Sequence, residues 1–233
     1  MESEILINSY FEPMRQAFEE NADPKIAAGA KAYMRNLSEF YGIPSPLRRE
    51  LLNTFISHFG FPQANQTEAM VYFAWNQPQR EWQYVCMEIL EKMARKSDVH
   101  FLDLCEWMII HKSWWDTVDF IAPNIAGMFF RKNPELKMLY LEKWMQTDNL
   151  WLQRSCLLHQ LRYKKDTDSE LLFSLCMRLA SHPDFFIRKA IGWSLREYSK
   201  VNPSAVTLFV QNHTLSGLSR KEAMKVINKK AGK

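Results

Sequence analysis

The sequence predicts an all-α protein, a right-handed α-α superhelix of about six antiparallel helix pairs, and three observations carry that reading. Apolar residues recur every three and four positions almost everywhere, as in Val85, Ile89 and Met93, in Leu171, Leu175 and Leu179, and in Val206 and Val210. Only 7 glycines and 10 prolines punctuate the 233 residues, about 7% of the chain against a usual share of about 12%, too few for a turn-dense β design. The chain also repeats itself: Trp151 to Lys165 aligns at an offset of 35 with Phe186 to Lys200, keeping the aromatic start, the aliphatic positions, the tyrosine and the closing lysine. At an offset of 36, Trp115 falls near Trp151.

Taken in order, the breaks set out the helices. Asp23-Pro24 closes the first segment and opens the second, Pro44-Ser45-Pro46 opens the third, and Gly60-Phe61-Pro62 and Gln77-Pro78 bound the next. Asn133-Pro134-Glu135 places a capping residue before a first-turn proline, and Asn202-Pro203 does the same, while Asp148 stands ready to cap the segment that follows it. Asp166 to Asp168 precedes the Leu171 stripe, and His182-Pro183 separates it from the helix after. About a dozen helical segments result, and connections this short join antiparallel neighbours. A helix-pair period of roughly 35 to 45 residues is that of HEAT and armadillo arrays, whose stacked pairs bury a continuous core and curve into a groove. The inner helices are expected to line a basic concave face, with residues 1–233 forming a single domain.

Composition narrows the function. At 47% apolar and 13% aromatic residues the chain is not a disordered one. Its longest apolar run, Ala69 to Trp75, falls far short of the roughly 18 residues of a membrane span. The acidic start Met1-Glu2-Ser3-Glu4, with no apolar stretch after it, is unlike a secretory signal and predicts a cytoplasmic protein. Cys86, Cys105, Cys156 and Cys176 lie 19, 51 and 20 residues apart, each within an apolar helical pattern, and read as core residues. The six histidines (58, 100, 111, 159, 182 and 213) form no zinc-binding spacing, and no glycine-rich phosphate loop or nucleophile elbow is present. Neither a metal nor a nucleotide cofactor is expected. Charge divides unevenly: residues 1–150 carry 15 basic and 20 acidic side chains, residues 151–233 carry 15 and 6. The basic C-terminal third points to a polyanion partner.

The chemistry concentrates in Lys112-Ser113-Trp114-Trp115-Asp116-Thr117-Val118-Asp119. On a helix Trp115 and Asp119 share a face, i to i+4, while Trp114 sits about 100° away and can pack inward. Arg154 follows Trp115 by 39 residues and Trp193 follows Arg154 by 39, so a repeat array would seat the three on successive inner helices. Around Trp193, Lys189, Arg196 and Lys200 draw a basic stripe with an indole in its middle, and Lys221, Lys225 and Lys229 run four apart down the last helix. Arg188, Arg162, Lys164 and Lys165 add charge nearby. A basic groove holding indoles and one carboxylate suits a polyanion whose reacting centre becomes cationic, because an indole face and a carboxylate both stabilise an oxocarbenium ion. With no evident second carboxylate to protonate a leaving group, the fitting substrate is one already activated, such as an alkylated purine with a formal positive charge.

Four linked stretches, Lys112 to Asp119, Asp148 to Arg154, Ala190 to Tyr198 and Leu218 to Ala223, resemble the AlkD family of bacterial DNA glycosylases. The resemblance runs from about Lys31 to Val226, in the same order and at the same spacings. It implies HEAT-like repeats and hydrolysis of the N-glycosidic bond of N3- or N7-alkylated purines in duplex DNA. The lesion would stay stacked rather than being flipped out, in the first step of base excision repair and without a cofactor. On the same resemblance Asp119 is the catalytic carboxylate, Trp115 and Trp193 cradle the lesion-bearing nucleotide, and Arg154 contacts the DNA backbone beside it. Tyr33, in Ala32-Tyr33-Met34-Arg35-Asn36, looks like the family's aromatic contact from the N-terminal end of the groove. Lys189, Arg196 and Lys200 are the further candidate DNA contacts, and a monomer is expected. The alternative is a non-catalytic HEAT-repeat module that binds damaged or distorted DNA or a protein partner, since helical repeats host scaffolds as readily as enzymes. RNA as substrate is compatible with the charge pattern but not with the resemblance.

Overall fold

A computed structural model of the chain describes residues 2–96 and 102–231, with side chains described over 5–94 and 102–229. His100, Met1 and the side chains of Glu2 to Glu4 and of Lys230, on which the sequence reading drew, lie outside these. The chain forms two compact units divided after residue 100. Among the described residues there is no strand, and the β pairing consists of one isolated bridge, Glu39 to Gln79. The all-α class is as the sequence predicts.

The first unit contains α1 (Glu2–Glu20), α2 (Pro24–Tyr33), α3 (Ser45–Phe59), a 3-10 turn (Ala64–Gln66), α4 (Thr67–Asn76) and α5 (Glu81–Lys96). Asp23 starts α2 by accepting from the backbone N–H groups of Lys25 and Ile26 at 2.8 and 3.0 Å, beside the first-turn proline. The core is aromatic: Phe11 stacks on Phe73 with ring centres 5.1 Å apart, and Trp82 meets both edge-on. Buried Glu81 ties down the turn before α3, accepting from the N–H groups of Tyr41, Gly42 and Ile43. Gly42 sits there at φ +85°, where a Cβ would stand 2.2 Å from the Asp23 carbonyl oxygen, so the turn requires glycine. By contrast α2 buries none of its residues, and Tyr33 at its end is 73% exposed.

The second unit begins with α6 (Leu102–Ile110) and α7 (Trp115–Ile121), which runs through a π-helical turn (Ala122–Ala126) into α8 (Gly127–Lys132). There follow α9 (Pro134–Met145), α10 (Leu150–Leu158), a 3-10 turn (Lys164–Asp166), α11 (Ser169–Arg178), α12 (Phe185–Ser199), α13 (Pro203–Asn212) and α14 (Gly217–Ala231). The helices α7, α10, α12 and α14 pack side by side in that succession, and α9, α11 and α13 lie against them as the second members of each pair. Polar links between neighbouring pairs span 33 to 38 residues: Tyr140 to Asp103, Trp144 to Glu106, Arg178 to Glu142 and Lys189 to Glu222. That is the period read from the sequence repeat. At Gly192 a Cβ would stand 2.5 Å from the Cβ of Glu222 and 2.8 Å from the Ser219 carbonyl oxygen, so a hydrogen there lets α12 and α14 touch backbone to backbone.

The capping residues depart from expectation in detail. Asn202 caps α13 as predicted, accepting from the N–H of Ala205 at 3.0 Å. Asn133 occupies the cap position of α9, but its amide turns back to donate to the Phe129 carbonyl, closing α8 instead. The cap of α10 is Asn149 rather than Asp148, because the helix starts one residue later and Asn149 Oδ1 meets the N–H groups of Trp151 and Leu152. All four cysteines are free and buried, as predicted.

Candidate active site

Two features of the local sequence build the site on α7. Trp114 stands in extended conformation as the residue before the helix, so Trp115 is its first residue and Asp119 lies one turn further on the same face. Pro123 then lacks the N–H that would bond back to the Asp119 carbonyl, and the helix widens into its π turn at that point. The Asn124 amide takes up the slack by donating to the Phe120 carbonyl at 2.8 Å. Trp114 packs inward as expected, edge-on to Trp151 and Phe186 at 5.7 and 5.3 Å.

Arg154 of α10 grips Asp119 with both sides of its fork: Nε donates to Oδ1 at 2.7 Å and Nη2 to Oδ2 at 2.8 Å. Its remaining nitrogen, Nη1, donates to the carbonyl of Phe186 at the start of α12, and its Cζ lies 5.9 Å from the Phe186 ring centre. One guanidinium thus ties together α7, α10 and α12. Burial pushes the Asp119 carboxyl above the ordinary carboxylate range; the Arg154 hydrogen bonds and charge pull it back, and Asp116 pushes it up further. The Arg154 side chain is only 3% exposed while that of Asp119 is 15% exposed. The carboxylate therefore faces a cavity, of about 470 Å³, with Arg154 behind it.

That cavity is lined by Asp116, Asp119, Phe120, Arg162, Trp193 and Glu197, together with Pro123, Asn124 and Leu161. The structure thus brings Asp119 and Trp193 to one recess and places Arg154 beneath it. Trp115, one turn before Asp119, is half-buried and lies outside this lining. Tyr33 belongs to the first unit.

The cationic candidate DNA contacts Arg154, Lys189, Arg196 and Lys200 all have partners within the protein. Arg154 turns three of its five N–H groups to Asp119 and the Phe186 carbonyl. The three cations of the stripe around Trp193 share two carboxylates of the protein. Lys189 Nζ meets Glu222 Oε1 of α14 at 2.7 Å, Arg196 Nη1 meets its other oxygen, and Lys200 pairs with Glu197 at 2.6 Å. The hydrogen bond from Lys189, with the Arg196 charge, holds the Glu222 carboxyl below its usual range. Local spacing showed the stripe but not the acid opposite it, which lies 33 residues beyond Lys189. The turn residue Arg162, which the sequence showed only as charge near the stripe, is exposed and lines the cavity. Among the described residues no group of three or more His, Cys, Asp or Glu side chains is placed to hold a metal ion, and no helix is long and apolar enough to cross a membrane.

A helical protein that buries an arginine–carboxylate pair at the floor of an indole-walled recess is the class this fold and site define. Residues 14–227 match the family of DNA alkylation repair enzymes, and the chain belongs to that family. The solved structure of a predicted DNA alkylation repair enzyme from Enterococcus faecalis is similar, with a TM-score of 0.80 and 28% sequence identity over 88% of this chain and 96% of that one. No curated protein matches the chain.

Proposed function

We propose that this protein is a monofunctional DNA glycosylase that hydrolyses the N-glycosidic bond of positively charged N3- or N7-alkylated purines in duplex DNA. It acts as a monomer in the bacterial cytoplasm, without metal or nucleotide cofactor, and opens base excision repair. Residues 1–233 serve as one functional domain of HEAT-like helix pairs; within the second unit the 33-to-38-residue spacing of polar links between pairs supports the repeat reading.

The observation that carries the reading is the Asp119 carboxylate, held by Arg154 and facing a recess that also holds the Trp193 indole. When the glycosidic bond breaks, its electron pair leaves with the alkylated base and cancels the base's charge, so no acid is required. The positive charge passes to the deoxyribose as an oxocarbenium ion. Each Asp119 oxygen accepts one hydrogen bond from Arg154 and keeps acceptor capacity toward the recess, where it stabilises that cation and orients the water that adds to it. Trp193 and Trp115 offer indole faces to the charged sugar, and the exposed ring of Tyr33 is a further contact with the duplex. As the resemblance implies, the base stays in the stack throughout.

The test is release of free base from a duplex carrying a single N7-methylguanine, by wild type and by Asp119→Asn, with binding measured on the same samples at fixed salt. Release by wild type that is lost in the variant while binding persists supports the reading. Equal release by both proteins removes Asp119 from the chemistry, and binding without release by either makes the protein a damage-binding module.

A further inference from the structure

Many cations of the second unit have protein partners. Besides Arg154, Lys189, Arg196 and Lys200, Arg131 pairs with Asp166, Arg178 with Glu142 and Lys143 with Glu106. Arg162 and Lys164 differ: among the described residues neither side chain makes an ion pair or a hydrogen bond with the protein, and both are exposed. Arg162 lines the Asp119 cavity and also a second, adjoining one of about 660 Å³, on the far side of the Leu161–Arg162 ridge. Lys164 lines the second cavity together with buried Leu157 and Leu172.

The turn that carries these two cations is held rigidly. Lys164 has φ +55°, a conformation that a long side chain adopts only when its surroundings impose it. Here the surroundings do so: the backbone N–H and hydroxyl of Thr167 both donate to the Lys164 carbonyl, and Tyr163 is anchored through its hydroxyl to the Gly127 carbonyl at 2.6 Å. Gln160 exchanges two hydrogen bonds with the backbone of Asp168 across the base of the turn. Two unpaired cations on a preorganised turn, one on the rim of the reactive recess and one in the next hollow, have the arrangement that successive phosphates of one strand require.

We propose that Arg162 and Lys164 form the phosphate clamp of this protein, Arg162 taking the phosphate that flanks the attacked nucleotide and Lys164 the next one along. The planar fork of Arg162 suits a phosphate's two oxygens, and Lys164 supplies a point charge. The inference rests on the reading of the protein as a DNA-acting enzyme, and it adds the turn to the candidate backbone contacts.

The experiment measures binding to an undamaged duplex across a series of salt concentrations, for wild type, Arg162→Gln, Arg162→Lys, Lys164→Gln and Lys143→Gln. Each lost phosphate contact makes the slope of log K against log salt shallower by about 0.9. Arg162→Gln and Lys164→Gln are expected to lose that amount each, Arg162→Lys to keep the slope, and Lys143→Gln, which removes the same charge from a pair with Glu106, to match wild type. In single turnover, Arg162→Gln should raise the half-saturating protein concentration more than it lowers the maximal rate. A wild-type slope in Arg162→Gln, or an equal loss in Lys143→Gln, overturns the clamp while leaving the glycosylase reading intact. Absence of duplex binding by wild type at low salt overturns both.

Discussion

Arg154 closes on Asp119 from behind, its Nε and Nη2 each 2.7 to 2.8 Å from a different carboxylate oxygen. The carboxylate is a poor place to put a charge, since burial raises its affinity for a proton. Arg154 offsets that cost, so the pair acts as one unit in which the buried member positions the member that reaches the recess.

Replacing Arg154 with Gln leaves Asp119 buried without its cation. Single-turnover base release should fall by about 10²–10³, the scale of a lost preorganised electrostatic group. The acidic limb of the pH–rate profile should also move to higher pH, because an Asp119 deprived of Arg154 holds its proton longer. The salt dependence of duplex binding should stay as in wild type. A variant with an unmoved pH limb but a shallower salt slope would instead make Arg154 a backbone contact.

Trp193 shares the recess with Asp119. Trp193→Ala removes an indole face from the developing cation, worth about 1–2 kcal/mol for a desolvated site and hence about five- to thirtyfold in single-turnover rate. Trp193→Phe should recover part of the rate. Undiminished excision by the alanine variant would remove the indole from the mechanism.

Gly192→Ala tests the closeness of α12 and α14. The added Cβ has 2.5 Å to the Glu222 Cβ and 2.8 Å to the Ser219 carbonyl oxygen, so the helices must part. Overpacking of this kind costs about 1–3 kcal/mol. Thermal unfolding should report it as a lowered midpoint, and an unchanged midpoint would mean that the interface yields freely.

His159 predicts how stability changes with acidity. It is buried, its Nδ1 donates to the Cys156 carbonyl, and Phe130 and Tyr163 stand edge-on to its ring. Burial lowers its pKa to about 4 from 6.5, the Cys156 carbonyl opposes, the Lys137 charge lowers it further and the Asp168 charge raises it. Because the folded state resists the proton that the unfolded state takes up, stability is complete above pH 6.5 and declines as the pH falls toward 4. From pH 7 to pH 5 this group should remove about 2 kcal/mol. Urea unfolding at the two pH values, for wild type and His159→Gln, checks it: the variant should lose that share of the pH dependence.

Local chemistry made much of this legible in the sequence. Asp23-Pro24 and Asn202-Pro203 start helices because a short acceptor and a fixed φ favour that step whatever lies around them. The i, i+4 placement of Trp115 and Asp119 likewise follows from the helix alone. The fate of a charge does not. Arg154 and Asp119 are 35 residues apart, the same as the offset of the internal repeat, and only stacking of consecutive pairs turns that interval into a contact. The basic stripe around Trp193 was legible as a stripe but its carboxylate partner was not, because Glu222 arrives from another helix. The π turn at Pro123 left no signal in the apolar spacing: the proline removes one backbone donor, and the Asn124 side chain donates to the Phe120 carbonyl as the helix continues.

The four sheltered cysteines have a consequence for a protein whose family is concerned with alkylated DNA. Thiolates are the side chains that methylating electrophiles attack first, and here burial pushes every thiol up, Cys176 to about 12 and Cys86, Cys105 and Cys156 further still. The folded chain therefore shows the same reagents no sulfur nucleophile from a cysteine. Mass spectrometry after treatment with methyl methanesulfonate should find these cysteines unmodified in the native protein and methylated once it is unfolded in urea.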